Sequence, residues 1–173
     1  MVDTIRTKSD LLTLLSDNGT QDISPQDLRD FLVSFLMFGE LGFVDNAVEQ
    51  SALPAGENVV PLDQAGPALG VTINTGSNFL QVPVDGNYRV TFESSYKGTG
   101  GSRFTFHVLK NGTSVSRMKR QDTPTVSTEE RNVSGSGTVD LLATDEIKLG
   151  IQSQPAGGDF TMIQGGIRIE RLD

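Results

Sequence analysis

The hydrophobic pattern of this chain changes character once, and that change divides it. From Gly70 onward apolar residues alternate with polar ones. The clearest stretch runs from Asp85 to Phe92: after an Asp-Gly turn signal, Tyr88, Val90 and Phe92 face one way and Arg89, Thr91 and Glu93 the other. A period of two marks a strand with one face on a core and one towards water, and it predicts burial of those three side chains. Similar alternation predicts strands through Val71 and Ile73, through Phe79, Leu80 and Val82, and through Phe104, Phe106 and Val108. Others follow at Val115 to Met118, as a strand pair marked by Val133, Val139, Leu141 and Leu142, and through Ile147, Leu149 and Ile151. The last covers Phe160, Met162, Ile167 and Ile169, with a kink or bulge at Gly165-Gly166. Asn111-Gly112 is a two-residue hairpin signal. Strands of this number and spacing, about eight in all, predict an antiparallel sandwich.

The N-terminal part reads differently. Residues 7–15 predict a short helix, with Thr7 and Asp10 as a capping pair before Leu11, Leu12, Leu14 and Leu15, and Asp17-Asn18-Gly19 as its stop. Ser24-Pro25-Gln26-Asp27 predicts a second start: Ser at the N-cap, Pro at the first helical position and an acid in the first turn. Leu28, Phe31, Leu32, Phe35 and Leu36 follow at helical spacing. Val33, Met37 and Phe38 widen that face until Gly39 and Gly42 end it. Two such helices cannot bury this apolar surface between themselves. They either pack on their own β domain or, as preferred here, are covered by other chains, with Leu28, Phe31, Leu32, Phe35, Leu36 and Phe38 as anchoring side chains. Residues 41–67 lack periodicity and contain Gly42, Pro54, Gly56, Pro61 and Gly66. They read as a linker, dividing the chain into a helical segment (1–40), a linker (41–67) and a β domain (68–173).

Composition narrows the function. With 173 residues there is room for one domain and an appendage. The absence of Cys excludes disulfides and thiolate metal sites, and a single histidine, His107, removes the usual histidine-based zinc and nucleophilic sites. A formal net charge of −8 disfavours a general nucleic-acid binder. No apolar run is long enough for a membrane span, and the start lacks the basic and apolar regions of a signal peptide, so a product made in the cytoplasm and not exported is expected. No catalytic constellation stands out, and neither enzymatic activity nor a cofactor or metal is expected. Asp85, Asp145 and Asp159 flank turns and have the chemistry for Ca2+, although Asp is equally a good turn residue. The Gly98 to Gly101 loop lacks the Lys-Ser/Thr of a phosphate cradle and reads as a hairpin tip. Arg117-Met118-Lys119-Arg120 is the one dense basic cluster, either a solvated strand offset by Glu129 and Glu130 or a contact for an anionic surface.

Two resemblances add to this. The order Gly86-Asn87-Tyr88-Arg89-Val90, Leu109-Lys110-Asn111-Gly112, Leu142-Ala143-Thr144-Asp145-Glu146-Ile147-Lys148-Leu149 and Phe160 to Gly166 resembles the C1q and tumour-necrosis-factor-like jelly roll over residues 68–172. Thr144 stands where that family usually has Gly. The resemblance implies a homotrimer, with Phe104, Phe106, Val108, Phe160, Met162 and Ile167 expected at its interface. Lys8 to Leu15 followed by Asp22-Ile23-Ser24-Pro25-Gln26-Asp27-Leu28-Arg29-Asp30-Phe31 resembles a leader found on structural proteins of tailed bacteriophages. Together these imply a mainly β virion appendage, located in the particle as a capsid decoration, head fibre or tail-associated fibre. Residues 1–40 would be anchored to capsid or to tail and baseplate proteins. The alternative is a receptor-binding module that takes a host surface glycan or protein on its jelly-roll loops.

Overall fold

The protein's structure, a computed structural model, describes residues 6, 10, 13, 24–43 and 48–172. Among these, one helix, α1 (Pro25–Phe35), precedes the strands β1 (Phe38–Phe43), β2 (Val48–Gln50), β3 (Asn58–Val59), β4 (Gln64–Leu69), β5 (Thr72–Asn74) and β6 (Phe79–Gln81). The longer strands follow: β7 (Gly86–Gly98), β8 (Arg103–Lys110), β9 (Thr113–Asp122), β10 (Arg131–Leu141), β11 (Glu146–Gln154) and β12 (Phe160–Arg171). Pairing is antiparallel and forms two sheets. The first has the order β10-β7-β12-β1-β4 with β2 added to β12, and the second β5-β6-β11-β8-β9 with β3 added to β11. Apart from β1–β2 and the β5–β6 and β8–β9 pairs, which stay within one sheet, successive strands cross between the sheets, so the sandwich is a jelly roll around one core.

The alternation read from the sequence produces that core. Tyr88, Val90 and Phe92 are buried as expected, and β12 adds Phe160, Met162, Ile167 and Ile169. The facing sheet contributes Phe104, Phe106, Val108, Ile147, Leu149 and Ile151. At one end Tyr96 meets Phe106 edge-on with centroids 4.9 Å apart, and Phe104 and Phe160 close the cluster. Such pairs add about 0.5–1.5 kcal/mol each beyond their buried area. The Asn111-Gly112 turn has φ of 49° and 79°, the two positive values that a type I′ hairpin needs. The expected irregularity in the last strand is present as a register shift between Met162 and Gln164, with Gly165 at φ 154°.

Three expectations change. The segment 41–67, read as a linker, carries strands. β1 is an inner strand of the first sheet, paired with β12 on one side and β4 on the other, so the jelly roll begins at Phe38. Glycines in β1 and opposite it in β12 are there for close packing. A Cβ on Gly39 would lie 2.6 Å from Val71 Cγ1, and one on Gly166 would lie 2.8 Å from the Leu41 carbonyl. Second, the helix stops earlier than the apolar run suggested: Leu36 is its C-cap, and Phe38 belongs to β1. Third, Phe104, Phe106, Val108, Phe160, Met162 and Ile167 are each at most 1% exposed within the single chain. They fill its own core and present nothing to a neighbouring copy. The helix expected over residues 7–15 falls outside the described residues except for Asp10 and Thr13, which have helical backbone.

Candidate functional site

The start of α1 follows its sequence closely. Ser24 Oγ accepts from Asp27 N at 3.2 Å, while Asp27 Oδ2 accepts from Ser24 N at 3.0 Å. A hydrogen bond from Ser24 Oγ to Asp27 Oδ2 at 2.7 Å, followed by the one from Ser24 N, holds the Asp27 carboxyl below the usual range. The reciprocal box satisfies two helix donors that would otherwise go unmet, and Pro25 sits in the first turn where its missing N–H costs nothing.

What the helix turns inward is unexpected, because it is polar. Asp30 and Ser34 are each 1% exposed. Asp30 Oδ2 lies 3.1 Å from Arg6 Nε, and Asp30 Oδ1 accepts from Gln26 Nε2. Ser34 Oγ accepts from Arg6 N at 2.7 Å and donates to the Asp30 carbonyl at 2.6 Å. At the C-terminal end Arg171, near the end of β12 and buried, donates from Nη1 to the Ser34 carbonyl at 3.1 Å and from Nη2 to the Asp85 carbonyl at 3.4 Å. A guanidinium there meets both the late helical carbonyls and the negative end of the helix dipole. Its backbone N also donates to the Met37 carbonyl, continuing the join into β1.

Facing away from these contacts are Leu28, Leu32 and Leu36, exposed by 55%, 48% and 56%. They stand four residues apart, forming a stripe about 12 Å long at 1.5 Å per residue. Phe31 is half-buried beside them, and the Phe35 side chain lies outside the described set. Of the six anchoring side chains expected from sequence, the structure therefore aligns three leucines on one open face and moves Phe38 to a strand. Asp30, Ser34 and Arg171 were not singled out from the sequence. A polar residue in an apolar run was the one visible trace of the first two, and nothing near the C-terminus marked the third.

A second surface is the outer side of the first sheet. Glu93 and Ser95 of β7, Asn132 and Ser134 of β10, and Gln164 of β12 line a shallow trough of about 380 Å³ floored by Gly165. Arg89 is paired with Glu170 at 3.5 Å, and Thr91 and Ser136 hydroxyls meet at 3.1 Å. It is a flat polar face of small side chains without an aromatic platform.

The turn carboxylates are occupied by protein donors. Asp85 Oδ1 accepts from Ala143 N at 2.6 Å, and Asp159 Oδ1 accepts from Ala52 N at 2.9 Å. Burial pushes the Asp145 carboxyl up, but Lys110 Nζ, Leu142 N and Asn111 Nδ2 together outweigh it and hold it below the ordinary range. No group of three or more His, Cys, Asp or Glu side chains able to hold a metal ion occurs among the described residues. At the far end Arg131 clamps Asp122 at 2.7 Å and Glu129 at 2.9 Å, while the Tyr96 hydroxyl donates to Asp122 at 3.0 Å. Arg131 holds the Asp122 carboxyl down, and burial followed by Asp122 pushes the Tyr96 phenol up. This clip fastens the loop between β9 and β10.

No protein-family description matches the sequence. No curated protein matches it either. The fold does match solved structures. An Eiger TNF from S. frugiperda aligns over 80% of this chain and 93% of its own at 12% identity and a TM-score of 0.57. Murine APRIL aligns over 79% and 99% at 13% identity and 0.56, and the globular domain of zebrafish complement 1qA protein over 75% and 94% at 13% and 0.52. The fold is that of TNF- and C1q-type jelly rolls.

Proposed function

We propose that this chain is a structural appendage protein of a tailed bacteriophage particle, a trimeric jelly roll attached to the virion through its N-terminal segment. One observation carries the attachment. α1 keeps its polar side against its own chain, through Asp30, Ser34, Arg6 and Arg171, and leaves Leu28, Leu32 and Leu36 open. Covering a half-exposed leucine contributes about 1–2 kcal/mol, so three on one rigid helix give a partner several kcal/mol before the costs of association. The leader resemblance around Ser24-Pro25-Gln26-Asp27-Leu28-Arg29-Asp30 supplies the kind of partner, a capsid, tail or baseplate protein. The C1q/TNF-like resemblance supports three copies. With the six expected interface residues inside the core, the three copies would meet through another surface, and the flat polar outer side of the first sheet is the one we propose.

The test is incorporation. Leu28→Ser/Leu32→Ser/Leu36→Ser should yield a folded protein with the light-scattering mass of three 18.6 kDa chains, yet be missing from purified particles. Normal incorporation of the triple variant would refute the anchoring role, and a monomeric mass for the unaltered protein would refute the trimer.

A further inference from the structure

β9 carries Arg117, Lys119 and Arg120, all exposed, around Met118, whose side chain enters the core. From sequence, Glu129 and Glu130 were the acids placed to offset them. The structure commits those acids elsewhere. Glu129 Oε1 pairs with Arg131 and its Oε2 accepts from Thr125 N, while Glu130 Oε1 accepts from Ser95 Oγ at 2.6 Å. Asp122, at the end of the same strand, has both oxygens on Arg131. Five of the other ten lysines and arginines of the described chain are paired with acids: Arg6 with Asp30, Arg89 with Glu170, Lys110 with Asp145, Arg131 with two acids and Lys148 with Glu146. Three positive charges thus share one strand of a chain whose net charge is −8.

The strand is also reshaped at this point. β9 is an outer strand of its sheet, and its register against β8 slips between His107 and Leu109. Val115 to Met118 consequently have no Cα partner across the pair. Bulges of this kind bend an edge and re-aim its side chains. The Arg120 stem lies near Gly135 of β10, within 3.4 Å of where a Cβ would stand, so it reaches round the rim towards the other sheet. Neighbouring Ser116 and Gln121 are exposed and offer uncharged hydrogen-bonding groups, and among the described residues the exposed large apolar side chains all lie elsewhere. Stacking platforms for bases and apolar wedges for a bilayer are therefore missing at this rim, whereas hydroxyl-rich chains find both charge and hydrogen-bond partners.

We propose that the bulged rim of β9, with Arg117, Lys119 and Arg120, binds an anionic polysaccharide. The site lies on a strand rather than on the loops. Binding is electrostatic, so three neutralised charges give a salt dependence steep enough to weaken it roughly ten- to twentyfold between about 50 and 150 mM salt.

The full-length protein should bind immobilised dextran sulfate and alginate at low salt and leave neutral dextran unbound. Arg117→Gln/Lys119→Gln/Arg120→Gln should lower that affinity by on the order of tenfold or more. Arg29→Gln/Arg103→Gln, on exposed positions away from β9 and from the outer side of the first sheet, should leave it intact. Equal losses in both variants, equal binding of neutral dextran, or tighter binding of a single-stranded DNA of matched charge would overturn the proposal. So would an unaltered protein that binds neither polyanion while the β9 variant self-associates or loses its trimeric mass. In that case the cations guard the strand edge or join copies of the chain.

Discussion

His107 is the residue whose environment departs furthest from its chemistry. It is fully buried on β8, both ring nitrogens lack a hydrogen-bond partner among the described residues, and a Cβ on Gly150 would come within 2.5 Å of Nε2. Burial pushes its pKa below the ordinary 6.5. Glu57, 4.0 Å from Nε2, opposes this, and Lys119 across the strand pair reinforces it. The unfolded chain therefore binds a proton at a higher pH than the folded one. The stability contribution is fully present above pH 6.5 and is lost as pH falls towards the lower folded value. Thermal melting should drop as pH falls from neutrality through the histidine range, and His107→Gln should flatten that part of the profile. Since the chain has one histidine, a proton NMR titration reads the folded pKa directly, and a value at or above 6.5 would contradict the assignment.

At the scale of elements, the join between α1 and the end of β12 is the feature that sets what the helix exposes. Arg171→Met keeps the buried stem and removes the hydrogen bonds to the Ser34 and Asp85 carbonyls. Charged hydrogen bonds to buried groups contribute about 1.5–3 kcal/mol, so the helix should detach while the sandwich, centred elsewhere, stays folded. Hydrogen exchange across residues 25–35 should speed up with little change in β7 or β8, and unchanged protection of α1 would count against the join. How legible each element was depends on what its residues do. β7 could be read because it has one buried and one solvated face. β1, Phe-Gly-Glu-Leu-Gly-Phe, hid because it holds two glycines, Gly39 being needed where Val71 approaches its backbone, and glycine in a sequence signals a loop. β8 gave the opposite difficulty. Its apolar residues were plain, but alternation says only that Phe104, Phe106 and Val108 share a buried face, not whether a sheet or a second chain buries it. The leucine stripe was legible as a helix face, whereas its outward direction depends on Arg6 and Arg171, more than a hundred residues apart in sequence.

The whole molecule depends on that same correction. If the jelly roll began at residue 68, a chain starting there would fold. It would lack β1, which lies between β12 and β4, and β3, which pairs with Gly150 and Ile151. It would also lack Leu41, Leu53, Val60 and Leu62, all within 1% of full burial. Removing four core side chains of this size costs about 2–5 kcal/mol apiece, against a typical total stability of about 5–15 kcal/mol. Residues 68–173 should therefore be unfolded or aggregated, showing poor dispersion in an amide NMR spectrum. Residues 37–173 retain β1 and the Met37 carbonyl that receives Arg171 N, and should give a folded domain with a cooperative melt. That chain lacks only the helix and its leader. If it kept its association with particles, the attachment would lie on the jelly roll. If residues 68–173 folded cooperatively by themselves, β1 would be an addition to the sandwich rather than part of its core.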